Sequence, residues 1–282
     1  MGEVIIKEIK KNLLSSVYIV KIGNKRYIKK IIPKDFIYEF YKQKYLAKRC
    51  EKIKIPKIYS ITAKENTNYV SCLMEYLKIS KKTLNLREIL KALSLFHKET
   101  RKLNKYFFEI YNFERFYIDF LLSKKYLPKE LKKMNKGQLK NLLNEVFNSD
   151  YSIVHGDFHK NQVFRYKKGY GIIDFISSFY GPSILDYAYL FRNNNKVNKI
   201  LFDYINLDNK KSYEEKLILF FKSLIVIYIF DIAWFINRRK YEKKTFSKNI
   251  KKASEYESEC LCVHYRLIQP RQRFASRNAY KR

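Results

Sequence analysis

I-V-H-G-D-F-H-K-N-Q-V-F-R-Y-K-K-G-Y-G-I-I-D-F, residues 153–175, is the stretch from which the rest of the chain is read. Short apolar pieces at 152–154, 163–164 and 171–173 alternate with polar positions, the pattern of small strands whose connecting loops carry functional side chains. His155, Asp157, His159, Asn161, Gln162 and Asp174 all fall in this stretch, so its polar residues read as a site. Asp157 sits on a loop just after one strand, where it can meet a substrate hydroxyl. Asp174, between Ile173 and Phe175 at the end of another strand, is placed like a metal-binding acid. Phosphoryl transfer divides labour in this way: one carboxylate orients and deprotonates the acceptor, and a second holds Mg2+ on the triphosphate.

Outward from that stretch, two halves of different periodicity appear. Residues 17–20, 26–31 and 69–75 are rich in β-branched and aromatic side chains, and the Gly/Asn turn at 21–25 makes the first two an antiparallel hairpin. Residues 35–52 carry Phe36, Phe40, Leu46 and Ala47 at helical spacing, with Asp35 as the expected cap. Strand-like sequence follows Pro56 as far as Ser60. From Leu84 the helical period takes over: Leu86, Ile89, Leu90, Leu93, Phe96 and His97 mark one face of a helix ending near Thr100. Further helices are expected at 106–123, 138–147, 185–192, 200–205, 213–238 and 245–257. His97, on an apolar helix face, reads as a hydrogen-bonded core residue.

Length and composition narrow the class. A chain of 282 residues can bury a sizeable core, and 46% hydrophobic with 17% aromatic residues excludes global disorder. The formal net charge of +32 favours polyanionic company such as nucleotides, although lysine scattered along the whole length reads as a general charge bias rather than a dedicated stripe. Nucleic-acid binding, suggested by that charge and by the arginine-rich tail, ranks below an enzyme and predicts affinity that falls steeply with salt. Cys50, Cys72, Cys260 and Cys262 do not have zinc-site spacing, which points to a reduced, cytoplasmic protein. Residues 1–11 lack the apolar core of a signal peptide. The most hydrophobic run, 217–236, contains Lys222 and Asp231 and reads as a buried helix rather than a membrane span.

The motifs His155-Gly156-Asp157-Phe158-His159, Ile172-Ile173-Asp174-Phe175 and Gly181-Pro182-Ser183-Ile184-Leu185-Asp186-Tyr187-Ala188 resemble those of the aminoglycoside phosphotransferase and choline kinase-like family, including its CotS-type spore coat and homoserine kinase-like branches. The resemblance implies an α+β, two-lobed protein kinase-like fold. Residues 1–77 would form a small antiparallel-sheet nucleotide-binding lobe and 78–259 a mainly helical catalytic and acceptor-binding lobe, with 260–282 a basic tail. It implies a phosphotransferase that moves the γ-phosphate of ATP, with Mg2+, to a hydroxyl of a small-molecule acceptor. Asp157 would be the base, His155 a buttress of the loop, Asp174 the principal Mg2+ ligand, and Asp186 an N-cap or loop anchor.

The family has asparagine five residues after its catalytic aspartate. Here that position is Gln162, with Asn161 just before it, and either amide can serve the metal. In a catalytically weak pseudokinase or spore-coat-type nucleotide-binding module, neither would do so well. The resemblance further places Lys30 on the phosphates, paired with Glu39 on the next helix, while strand alternation turns Lys29 to the other face. Ser15 and Ser16 would lie in the phosphate loop, and Glu75 and Tyr76 in the segment that reads the purine through its backbone. Tyr187, Tyr189, Asp231 and Trp234 are the candidates on the acceptor side.

Overall fold

The first strand, β1 (Glu3–Lys11), is one that the sequence pattern does not announce, because every one of its residues is exposed. With neither face buried there is no in/out alternation to read, and Val4, Ile5, Ile6 and Ile9 all stand in solvent. In the computed structural model, which describes residues 3–11, 15–63, 66–79, 83–192, 203 and 212–238, β1 pairs antiparallel with β2 (Ser16–Ile22), with two register shifts. Gly23, at a φ of +57°, opens the tight turn from β2 into β3 (Lys25–Pro33). Positive φ at the first turn position is the requirement of a type II′ hairpin, and glycine meets it without a steric penalty.

A single 3-10 turn, Lys34–Phe36, leads into helix α1 (Tyr38–Arg49). Asp35 lies inside that turn and does not cap the helix: the N-cap residue is Ile37, which supplies no side-chain bond. The helix is fixed instead by burial of Glu39, Phe40, Lys42, Gln43 and Leu46. The chain then runs through β4 (Ile53–Lys54), β5 (Ile58–Ala63) and β6 (Tyr69–Glu75). The antiparallel sheet is ordered β1-β2-β3-β6-β5, and β6 has the bounds expected from its alternation.

Helix α2 (Leu86–Thr100) begins with a reciprocal capping box between Asn85 and Glu88, which satisfies two of the amides a helix start leaves unpaired. Of its expected face, Ile89, Leu90, Leu93, Phe96 and His97 are buried and Leu86 is half-buried. The single helix expected at 106–123 is two pieces: a 3-10 turn at Lys105–Phe107 and helix α3 (Phe113–Ser123). After α4 (Lys129–Lys132) and α5 (Lys136–Phe147) come β7 (Tyr151–Val154), β8 (Val163–Tyr166), β9 (Gly169–Ile172) and β10 (Phe179–Pro182). Strands β10 and β7 form one pair, and β4-β9-β8 form a three-stranded sheet in which β4 joins β9 in parallel. Helices α6 (Ile184–Phe191) and α7 (Tyr213–Arg238) follow.

The chain divides into two compact units, Met1–Asn112 with Phe147–Asn209, and Phe113–Val146 with Lys210–Arg282. Among the described residues, the first contains the ten strands, α1, α2 and α6. In the second, α3 packs against α7, and Ser123 Oγ donates to the Ile229 carbonyl at 3.3 Å. Helix α7 is long and apolar enough to cross a membrane over Tyr213–Trp234, but 61% of that window is buried within the protein. That agrees with a core helix. The helix expected at 245–257, the basic tail, and all of 200–205 except Asp203 lie outside the described residues.

Candidate active site

Three consecutive loop residues, His155, Gly156 and Asp157, follow β7, and one carboxylate holds the first two. Asp186, fully buried on the first turn of α6, accepts the His155 amide on Oδ2 at 2.7 Å and the Gly156 amide on Oδ1 at 3.0 Å. Its Oδ2 also takes His97 Nε2 at 2.9 Å. Asp186 is thus the anchor of the loop and not an N-cap, a position that belongs to Ser183. His97 is the hydrogen-bonded core residue expected of its helix face. Gly156 has a φ of +77°, and a Cβ there would stand 2.2 Å from the Ser177 carbonyl oxygen, so only glycine fits.

The His155 ring faces both halves of the site. Its Nε2 donates to the Ile173 carbonyl at 2.8 Å, and its Nδ1 accepts the Asp157 amide at 3.3 Å; together these partners select the Nε2–H tautomer. The ring packs against Phe158 and Phe175. One imidazole therefore ties the Asp157 loop to the segment carrying Asp174. Asp157 itself is half-buried, and its Oδ1 accepts the Tyr189 hydroxyl at 2.7 Å.

On the other side, the sheet alternation works as expected. Lys29 leaves one face of β3 for Glu3 at 2.7 Å, and Lys30 leaves the other. Lys30 Nζ lies 2.5 Å from Glu39 Oε1 on α1 and 3.1 Å from Asp174 Oδ1. Burial works against the Lys30 charge, but the two carboxylates outweigh it and hold the ammonium above the ordinary lysine range. Burial also pushes Glu39 upward against the pull of Lys30, and its Oε2 has no hydrogen-bond partner. With its proton held by two acids, Lys30 is the cation of this cluster. Burial would raise Asp174 too, yet Lys30 overcomes it and brings the carboxyl down to about 2. Asp174 has a φ of +72°, a left-handed conformation that costs a non-glycine residue roughly 1–3 kcal/mol and clusters at functional sites.

The two candidate amides separate. Gln162 is buried, exchanges backbone bonds with His159 and Ile173, and places Nε2 3.4 Å from Asp174 Oδ2. Asn161 is exposed and its backbone N–H donates to His159 Nδ1 at 3.2 Å; the side-chain amide that approaches Asp174 is that of Gln162. Among the described residues no three His, Cys, Asp or Glu side chains form a metal-holding group. Mg2+ does not need one: it takes one or two protein ligands and fills its octahedron with water and phosphate oxygens. An ionised Asp174 beside an amide fits that donor set, after the Gln162 amide turns half a revolution to present Oε1.

The remaining expected residues lie on the sheet. Ser16 opens β2 across from Ile31, next to Lys30. Ser15 precedes it, while residues 12–14 of the proposed phosphate loop lie outside the described residues. The Glu75 carboxylate is engaged by Lys54 Nζ at 2.7 Å and the Lys57 amide at 3.1 Å, and the Glu75 backbone N–H donates to the Lys57 carbonyl at 2.8 Å. Tyr187 is buried against the His97 ring and is a core residue rather than an acceptor contact. Asp231 and Trp234 lie on α7 in the second unit.

Lys42 escapes the sequence reading, and Tyr189, expected on the acceptor side, is bonded to Asp157. Lys42, one turn after Glu39, donates to the Ser178 carbonyl at 2.5 Å, just past Asp174. Burial brings it down to about 8, against the opposing pull of Glu109 and Glu39. Its helical spacing from Glu39 was the available signal. Tyr189 stands three residues after Asp186, the same kind of signal on α6.

The phosphotransferase enzyme family (APH) matches residues 5–203. No curated protein matches the sequence at a significant level. Among solved structures, an apo thermostable mutant of aminoglycoside phosphotransferase APH(4)-Ia is 11% identical with a TM-score of 0.60, covering 92% of this chain and 93% of that one. A putative fructosamine-3-kinase from Haemophilus somnus 129PT is 13% identical with a TM-score of 0.56, covering 93% and 91%. The amicoumacin kinase hAmiN, in complex with AMP-PNP, Ca2+ and Ami, is 15% identical with a TM-score of 0.57, covering 89% and 87%. The α+β kinase-like fold is shared by all three.

Proposed function

This chain belongs to the phosphotransferase enzyme family, and from that premise we propose that it transfers the γ-phosphate of ATP to a hydroxyl group of a small-molecule acceptor, acting in the cytoplasm. The observation that carries the reading is Lys30 Nζ, held by Glu39 at 2.5 Å and reaching Asp174 at 3.1 Å. A cation fixed between a helix acid and the metal-binding acid is what positioning of a triphosphate requires. The nucleotide and Ca2+ bound by the amicoumacin kinase support the same use of nucleotide and divalent metal.

Asp157 accepts the acceptor's hydroxyl proton on the carboxylate oxygen that Tyr189 leaves open. The acceptor oxygen bonds to the γ-phosphorus as the bond to the bridging oxygen of ADP breaks. Lys30 would donate to the phosphate oxygens, and Asp174 with Gln162 would hold Mg2+. The metal supplies charge neutralisation on the phosphates. His155 keeps the base and the metal segment in register.

The test is ADP release from Mg2+-ATP across amino alcohols, sugars, aminoglycosides and protein acceptors, with Asp157→Ala as control. ADP formed with one acceptor and abolished in the variant is the expected result. Equal rates in wild type and variant would remove Asp157 as base.

One observation favours a second reading. Gln162 turns its amide nitrogen toward Asp174, which suits a carboxylate partner better than a cation. A pseudokinase of this kind stabilises on adding nucleotide with Mg2+ yet yields no ADP with any acceptor.

A further inference from the structure

Helix α6 does more to the catalytic loop than anchor it. Asp186 and Tyr189 are one turn apart, so their side chains share a helix face, and that face meets three successive loop residues. Asp186 takes the amides of His155 and Gly156, and Tyr189 donates its hydroxyl to Asp157 Oδ1 at 2.7 Å. The Tyr189 ring is buried and covered by the Arg192 guanidinium, 3.7 Å from the ring centroid, so packing fixes where the hydroxyl points.

We propose that Tyr189 is a positioning residue for phosphoryl transfer: its hydroxyl occupies Oδ1 of Asp157 and thereby fixes Oδ2 as the oxygen that receives the acceptor's proton. This rests on the reading of Asp157 as the base. A carboxylate with one oxygen tied by a neutral donor cannot rotate about its Cβ–Cγ bond without breaking that bond. The base therefore meets the acceptor in one orientation instead of sampling two. The preceding amides are already held by Asp186, so Tyr189 supplies the restraint on the side chain that backbone anchoring leaves free.

Tyr189→Phe removes the hydroxyl and keeps the ring beneath Arg192. ADP formation from Mg2+-ATP is measured with water as the acceptor, in wild type, Tyr189→Phe, Asp157→Asn and the double variant. The expected result is a fall in kcat of roughly ten- to a hundredfold for Tyr189→Phe, the scale on which misplacement of a reacting group acts, with KM for ATP unchanged. In the Asp157→Asn background the same substitution has no further effect, because Tyr189 acts only through Asp157. ADP formation that depends on Asp157 but is the same with and without the Tyr189 hydroxyl overturns this inference and leaves the base assignment standing. ADP formation no different in Asp157→Asn from wild type overturns both. A fall in kcat of equal size in the two backgrounds also overturns it, since the hydroxyl would then act elsewhere.

Discussion

The two sides of the site are held by different forces. The His155–Gly156–Asp157 loop is fixed by hydrogen bonds from one helix, through a carboxylate whose donors are two backbone amides and His97. The Lys30–Glu39–Asp174 cluster is fixed by charge, with contributions from a strand, a helix and a loop. In the first, all the bonds lie within the protein and nothing in the reaction needs them to change. In the second, Lys30 contacts the same acid that is proposed to hold the metal, so nucleotide binding as proposed exchanges some of those contacts. On that proposal the base side is built for rigidity and the phosphate side for partner exchange.

The largest expected effect falls on the base. Asp157→Ala should lower turnover by roughly 10²–10⁴-fold while ATP binding stays near wild type; a loss of ATP binding of similar size would mean that the two sides are not separable. Next, Lys30→Met leaves Glu39 buried without its cation, a change that costs about 3–5 kcal/mol where a buried pair loses one partner. Urea denaturation measures it, and a loss below about 1 kcal/mol would break the contrast drawn here. Asp186→Asn keeps the shape but removes the charge behind three hydrogen bonds, at roughly 1.5–3 kcal/mol in the same assay.

The smallest effect is the response to acid. Asp174, brought down to about 2 in the folded chain, binds its proton more weakly than in the unfolded chain. It therefore contributes stability above about pH 4, which is lost as pH falls through 2, by at most about 2 kcal/mol. Denaturation midpoints between pH 5 and pH 2 should show a loss that Lys30→Met largely abolishes. An unchanged pH slope in that variant would place the cause outside this cluster.

Which features could be read from sequence follows from how each is stabilised. The hairpin at Gly23, strand β6, the apolar face of α2 and the long helix α7 bury one face or need one turn residue, and both leave a period or a signature. The resemblance brought forward Asp157, Asp174, Lys30 and Glu39 as candidates, and the structure joins the last three of these in one cluster. Strand β1 left no trace because neither of its faces is buried. Strand β10, Phe179–Pro182, ends in Gly181-Pro182, a pair that marks a turn rather than a strand. Asp35 misled because a cap signature does not reveal that a 3-10 turn intervenes. The choice between Asn161 and Gln162 depended on a one-residue difference in which side chain points inward. Lys42 and Tyr189 act through partners distant in sequence, the Ser178 carbonyl and Asp157, which helical spacing alone does not name.

The contact between Lys30 and Asp174 joins residues 144 positions apart in the chain, and the His97–Asp186 bond spans 89. Contacts of such separation form only after the entropy of closing a long loop has been met, which slows folding where they dominate. During synthesis β3, which carries Lys30, emerges long before β9 and the loop residue Asp174 that follows it. The cluster around Lys30 is therefore complete only once the later strands, β7 to β9, have been made.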